Sequence, residues 1–152
     1  MKAGMFLTFQ TGGVVCAAQV EAVKEIIPLP PVTRVPRVSP VILGVMNLRG
    51  NVVPVLDLAL RLDLKGTSPT PRSCVLVIGE DEEIEMGLLV SSVSVVLDIT
   101  SEEIEPVPDF GTGIRKSLLQ GIAKAGGELI PVLDLRKIAD EQELSSLVQD
   151  KT

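Results

Sequence analysis

The feature that most constrains this 152-residue chain is that part of it occurs twice. Gly44, Gly50, Pro54, Val55, Leu56, Asp57 and Leu58 recur 77 positions later, without a gap, as Gly121, Gly127, Pro131, Val132, Leu133, Asp134 and Leu135. A weaker match, 73 positions apart, sets Val20–Ile26 (VEAVKEI) beside Val93–Ile99 (VSVVLDI), carried by the apolar positions and the acidic residue before the isoleucine. A period this long exceeds the solenoid range and reads as two copies of a small β unit. The copies differ at one turn: Asn47-Leu48-Arg49-Gly50 in the first is Lys124-Ala125-Gly126-Gly127 in the second, so Arg49 belongs to one half only.

Each copy centres on a hairpin. In the first, the runs Val41–Met46 and Val52–Leu56 flank a polar break at Asn47–Asn51. Both runs are aliphatic and too short for helices, which makes them strands. Gly50 and Asn51 are the residue types that tolerate the positive φ of a tight hairpin turn. Pro54 cannot donate to a ladder, which places its strand at an edge or a bulge. Asp57 ends the strand and can cap a short helix, LALRL.

Composition narrows the interior and the chemistry. Hydrophobic residues make up 45% of the chain, yet there is no Trp, no Tyr and only three Phe, so the core must be aliphatic. The formal charge of −6 and the absence of a basic run argue against nucleic acid or an anionic membrane surface as partner. Histidine is absent, which removes Ser-His-Asp and Cys-His nucleophiles, His-ligated zinc and a phosphohistidine relay. Cys16 and Cys74 stand outside any metal or redox spacing, so reduced, buried thiols are expected. Neither a signal peptide nor a bilayer-length apolar run is evident, and a soluble, cytoplasmic protein without membrane insertion is expected.

In chain order, strands are expected at Met5–Phe9, Val14–Val20 and Val23–Leu29. In the third, alternation puts Val23, Glu25 and Ile27 on one face. Pro28–Pro40 holds five of the eleven prolines and forms a loop, and Lys65–Pro71 is a second loop between the halves. Ser73–Ile78, Ile84–Val90 and Val93–Ile99 follow as strands, the first two joined by the charged turn Gly79–Glu83. Thr100–Gly113 is an acidic loop and Ile114–Leu119 one helical turn. Asp134–Val148 carries apolar residues at helical spacing, as a C-terminal helix packed on the second half would. Many short strands in two copies imply a mainly β fold of paired small barrels with short helices. The expected organisation is a single domain over 1–152, with lobe 1 at 14–68, lobe 2 at 72–140 and terminal segments completing the lobes.

The run Gly44–Leu58, GVMNLRGNVVPVLDL, resembles the signature of the CheW family of bacterial chemotaxis coupling proteins, with the Asn-Leu-Arg-Gly turn, the proline and the Asp-Leu end at the family's spacing. Val23-Lys24-Glu25-Ile26, Gly87–Val93 and Leu133-Asp134-Leu135 follow in the family's order. The resemblance implies two SH3-like five-stranded β-barrel lobes without enzymatic activity or cofactor. It also implies a scaffold joining the cytoplasmic tip of methyl-accepting chemoreceptors to the regulatory domain of a CheA-type histidine kinase in membrane-anchored arrays, with other CheW-like domains as further contacts. A CheW-like scaffold of a non-flagellar pathway is the alternative.

Arg49 is the sharpest candidate for partner binding, since a guanidinium held at a turn offers a fixed fork of donors to a carboxylate. By family analogy Glu25 lies beside it, and an ion pair that orients the guanidinium is expected. Asn47 and Gly50 of the same turn belong to the candidate set, with Val23 and Val52 as apolar neighbours. A cleft between the lobes is the expected seat of a receptor helix, by the helix-in-groove mode. Asp57 could in principle be a phosphoacceptor or, with Asp134, a protease dyad. Its recurrence before Leu and a helix favours two structural caps, and the Asp-Thr/Ser-Gly turn of such a dyad is missing. No catalytic residue and no metal ligand is assigned.

Overall fold

The computed structural model describes residues 4–35, 40–79, 86–107 and 114–139. Most of the expected acidic turn after Gly79, the end of the loop after Val107 and the C-terminal helix beyond Ala139 lie outside these.

The chain runs β1 (Gly4–Thr11), β2 (Val14–Gln19), β3 (Glu25–Pro28), β4 (Ile42–Leu48), β5 (Asn51–Asp57), α1 (Leu58–Arg61), β6 (Cys74–Ile78) and β7 (Met86–Val90). It continues with β8 (Ser92–Ile99), β9 (Ile104–Glu105), β10 (Leu119–Ala125), β11 (Glu128–Leu133) and α2 (Leu135–Ile138). Single 3-10 turns occupy Val20–Ala22, Ser101–Glu103 and Lys116–Leu118, the last where one helical turn was expected.

The strands form two sheets, ordered β3-β6-β7-β5-β4 and β8-β1-β2-β11-β10-β9. Set side by side, β3 answers to β8, β6 to β1, β7 to β2, β5 to β11 and β4 to β10. In both sheets the pairing that links the hairpin of one copy to the strand of the other is parallel, β5 with β7 and β11 with β2. Each sheet thus takes a two-stranded hairpin from the opposite copy. The expected lobe limits of 14–68 and 72–140 follow the sequence repeat, whereas the hydrogen bonds follow this exchange. Strands β3 to β7 make one sheet, and β1 and β2 join β8 to β11 in the other. Parallel partners need a long connection, and the segment between Asp57 and Met86, which carries α1 and β6, supplies it for β5 and β7.

The repeated residues do repeated work. Register slips between Ile42 and Gly44 in β4 and between Leu119 and Gly121 in β10, the same place in both copies. Pro54 is not on an edge strand, since β5 lies between β7 and β4, but its pairing with β7 begins only at Val55. Pro131 likewise precedes the Val132 contact with β2. A proline is tolerated in each strand just before the second neighbour arrives.

Each sheet encloses its own apolar interior. Met46, Val53, Val55, Val75, Val77 and Leu89 fill one, and Phe6, Ala17, Ile99, Ala123, Ile130 and Val132 the other. A third cluster joins the two, with Phe9 and Cys16 from one sheet, Leu56 and Leu88 from the other, and Leu58 and Ile138 from the helices. Each sheet therefore buries both its faces, as SH3-like lobes with a common seam do. Arg61 crosses that seam: fully buried, it donates from Nε to the carbonyl of Ile138 and from Nη2 to that of Lys137, 3.1 Å each. Arg61 and Ile138 are repeat mates, so the seam is where equivalent positions of the two copies meet.

Asp57 caps α1, its Oδ1 accepting from the Ala59 N–H at 3.1 Å. It also accepts from the Thr67 N–H at 2.8 Å and the Thr67 hydroxyl at 2.7 Å, pinning the loop that follows. Among the described residues Asp134 bonds α2 alone, accepting from the N–H groups of Arg136 and Lys137. Both carboxylates are structural caps. Asp57 is 4% exposed with both oxygens engaged, a poor geometry for a phosphoacceptor.

Candidate functional site: a hairpin tip and an interlobe groove

The hairpin β4–β5 closes on Arg49 and Gly50, which have φ of 52° and 87°. A two-residue turn with positive φ at both centres matches the right-handed twist of the strands it joins. The expectation that Gly50 and Asn51 would carry the positive φ shifts by one residue, because Asn51 is already in β5, opposite Leu48. In the second copy the same two positions are Gly126 and Gly127, at 60° and 81°. Glycine takes this backbone freely, whereas an L-residue is held there against Cβ sterics. The first copy therefore carries an arginine where its own repeat shows glycine to be the relaxed choice.

Asn47 holds this turn, its Oδ1 accepting from the Gly50 N–H at 2.9 Å. The Arg49 guanidinium reaches across to Glu25, Nη2 to Oε1 at 2.5 Å. The hydrogen bond and the charge of Glu25 hold the guanidinium still more firmly protonated than an ordinary arginine. Glu25 opens β3, and Arg49 closes the β4 hairpin, so the pair joins the two outermost strands of one five-stranded sheet. In a flat sheet those strands would stand roughly 19 Å apart. Their contact requires the sheet to curl on itself, which is how an SH3-like lobe is made.

The expected apolar neighbours separate. Val52 projects into solvent at the tip, 74% exposed, and its repeat mate Leu129 does the same on the second hairpin. Val23 is half-buried and belongs elsewhere, to an apolar groove of about 280 Å³ that it lines with Leu7, Val20, Ile26 and Val96. Glu25 also lines this groove, so it stands between the groove and the hairpin tip. The structure thus brings Glu25, Asn47, Arg49 and Gly50 together at one rim, leaves Val52 at the tip beyond, and assigns Val23 to the groove.

Leu7, Ile26 and Val96 were not singled out from the sequence. One signal was available: the match of Val20–Ile26 to Val93–Ile99 makes Val23 and Val96 equivalent, and both line the groove, one from each lobe. Among the described residues no helix is long and apolar enough to cross a membrane.

The chain resembles known proteins along nearly its whole length. A family model described as the CheW-like domain matches residues 5–143. The chemotaxis protein CheW of Bacillus subtilis is 33% identical over 148 residues, covering 95% of this chain and 92% of its own. The chemotaxis protein CheW of Rhizobium meliloti is 31% identical over 137 residues, covering 90% and 88%. The crystal structure of the scaffolding protein TtCheW from Thermoanaerobacter tengcongensis superimposes with a TM-score of 0.80 at 25% identity, covering 91% of this chain and 88% of that one. With its duplicated sheets, its Asn-Leu-Arg-Gly turn and a family match over 139 of 152 residues, this chain belongs to the CheW-like domain family.

Proposed function

We propose that this chain is a non-enzymatic adaptor of one two-lobed domain, which couples methyl-accepting chemoreceptors to a CheA-type histidine kinase in the cytoplasm, at membrane-anchored arrays. The observation that supports the reading is that one body offers both an apolar groove and a charged hairpin rim, which meet at Glu25. The apolar groove, with Val23, Ile26 and Val96 in its walls, suits the apolar face of a receptor helix. The rim of Glu25, Asn47, Arg49 and Gly50, with exposed Val52 beyond it, suits a folded partner such as the kinase regulatory domain or another CheW-like domain. A bridging protein needs no chemistry of its own, only surfaces that remain free when the other is occupied. The arginine retained at a left-handed turn supports the rim as the working part, since the second copy dispenses with it.

Co-sedimentation with a chemoreceptor signalling fragment and CheA tests the proposal. Wild type is expected to form a ternary complex and raise kinase autophosphorylation. Arg49→Ala, folded by circular dichroism, is expected to lower both. The charge-swapped pair Glu25→Arg with Arg49→Glu should recover part of what each single change loses. Absence of binding by wild type to either partner would refute the adaptor role, and absence of recovery in folded swaps would remove the ion pair from it.

A further inference from the structure

Strand β8 pairs with β1 along its length but not in one register. Leu7 stands opposite Val96 and Phe9 opposite Val93, so Ser94 and Val95 share the single residue Thr8. This is a β-bulge, two residues facing one. Its buried partner is the Thr8 side chain: Oγ1 donates to the Val95 carbonyl at 2.7 Å and accepts from the Val95 N–H at 3.1 Å. Thr8 is 3% exposed and thus supplies, from a side chain, the donor and acceptor that the ladder would have taken from backbone.

The consequence lies in the side-chain faces. Along a regular strand, residues three apart point to opposite faces, and a one-residue shift reverses the assignment. Here Val93 and Val96 are three apart and take the same face. Val93 packs with Phe9 against the shared core, and Val96 stands beside Leu7 in the groove wall. Were the same residues paired in a regular ladder with no bulge, one of the two valines would turn to the opposite face. The bulge also leaves Val95 and Val96 exposed in succession, at 55% and 47%, where alternation would bury one. The corresponding pairing in the other lobe, β3 with β6, runs from Glu25 to Pro28 without a shift.

We infer that Thr8 is a positioning residue for the interlobe groove: by holding the β8 bulge with its hydroxyl, it turns Val96 into the groove wall opposite its repeat mate Val23. The inference rests on the groove being the receptor-side face, and the test keeps the two questions apart. Thr8→Val preserves shape and removes the hydroxyl, and Thr8→Ser retains the hydroxyl. By NMR, Thr8→Val is expected to lower protection of the Val95 amide at least tenfold and to abolish the Leu7–Val96 methyl contact, while Thr8→Ser keeps both. Persistence of protection and contact in Thr8→Val would overturn the inference. In the second arm, Thr8→Val should weaken binding of a chemoreceptor signalling fragment about tenfold and leave binding of a CheA regulatory domain unchanged, with Thr8→Ser restoring the former. Loss of the methyl contact with undiminished receptor binding would overturn the role of Val96 in the groove. If wild type binds no receptor fragment, the adaptor reading fails, and the NMR arm still decides whether Thr8 sets the face of Val96. Should Thr8→Val not fold, the same substitution is made with Ser94 deleted: Val93 and Val96 are then two apart in a regular ladder that needs no hydroxyl, and both contacts should persist. Loss of the Leu7–Val96 contact in that variant would refute the inference.

Discussion

The two copies of the Asp-Leu motif offer an internal comparison of what a buried carboxylate contributes. Asp57 and Asp134 occupy the same N-cap, but Asp57 also accepts two hydrogen bonds from Thr67 in a site that is 4% exposed. Asp134 is more open and, among the described residues, bonds only the first turn of its own helix, at 3.1 and 3.3 Å. Losing a cap costs about 1 kcal/mol. Leaving the Thr67 N–H and hydroxyl without their acceptor adds roughly 1–3 kcal/mol. Asp57→Ala is therefore expected to cost about 3 kcal/mol and Asp134→Ala about 1 kcal/mol. In a chain of this length that difference separates the two melting temperatures by roughly 4–8 °C. With no Trp or Tyr to report fluorescence, urea unfolding is best followed by far-ultraviolet circular dichroism. Thr67→Val supplies the control, because a double-mutant cycle with Asp57→Ala should show coupling of about 1–2 kcal/mol. Equal losses at the two aspartates, or additivity with Thr67→Val, would refute the claim that Asp57 holds the loop as well as the helix.

Two further outcomes follow from the same structure. Arg49→Gly gives the first hairpin the glycine pair of the second and relieves a left-handed L-residue worth about 1 kcal/mol, so calorimetry should show Tm raised by about 2–4 °C even as kinase coupling falls. A lowered Tm would show that the ion pair outweighs the backbone strain. Burial pushes the Cys16 thiol up to about 12. The thiolate is the disfavoured form in the fold, so this group's contribution to stability is complete below its unfolded value near 9 and is lost as pH rises from there toward 12. At pH 8 a thiol reagent should modify half-buried Cys74 readily and Cys16 only on unfolding. Two equivalents reacting at one rate in the native protein would contradict this.

The rim was more legible in the sequence than the groove. Arg49 and Asn47 carry turn chemistry, the repeat exposed Arg49 by setting glycine in its place, and the family resemblance set Glu25 beside it. The groove is lined by Lys24 and Glu25 and by Leu7, Val20, Val23, Ile26 and Val96, whose apolar side chains look in sequence like any other core residue. Whether a valine is core or surface depends on which face it takes, and the β8 bulge changes that face without changing composition. The exposure of Val52 was hidden for a similar reason, since it alternates correctly toward the seam but lies beyond the seam's end, at the hairpin tip.

Local chemistry was enough to determine the strands other than β9, which lies in the expected acidic loop, and the two hairpins, the caps at Asp57 and Asp134 and the aliphatic interior, because turn residues, capping carboxylates and short apolar runs act on their immediate neighbours. How the copies divide into sheets was decided only by tertiary structure. A hairpin completes either sheet with the same hydrogen bonds, and the choice of the opposite copy depends on parallel contacts, Val55 with Gly87 and Val132 with Ala17, between residues far apart in the chain. The curl that brings Arg49 to Glu25, the seam crossed by Arg61 and the groove between β3 and β8 were likewise decided there, since each is a meeting of segments far apart in the chain.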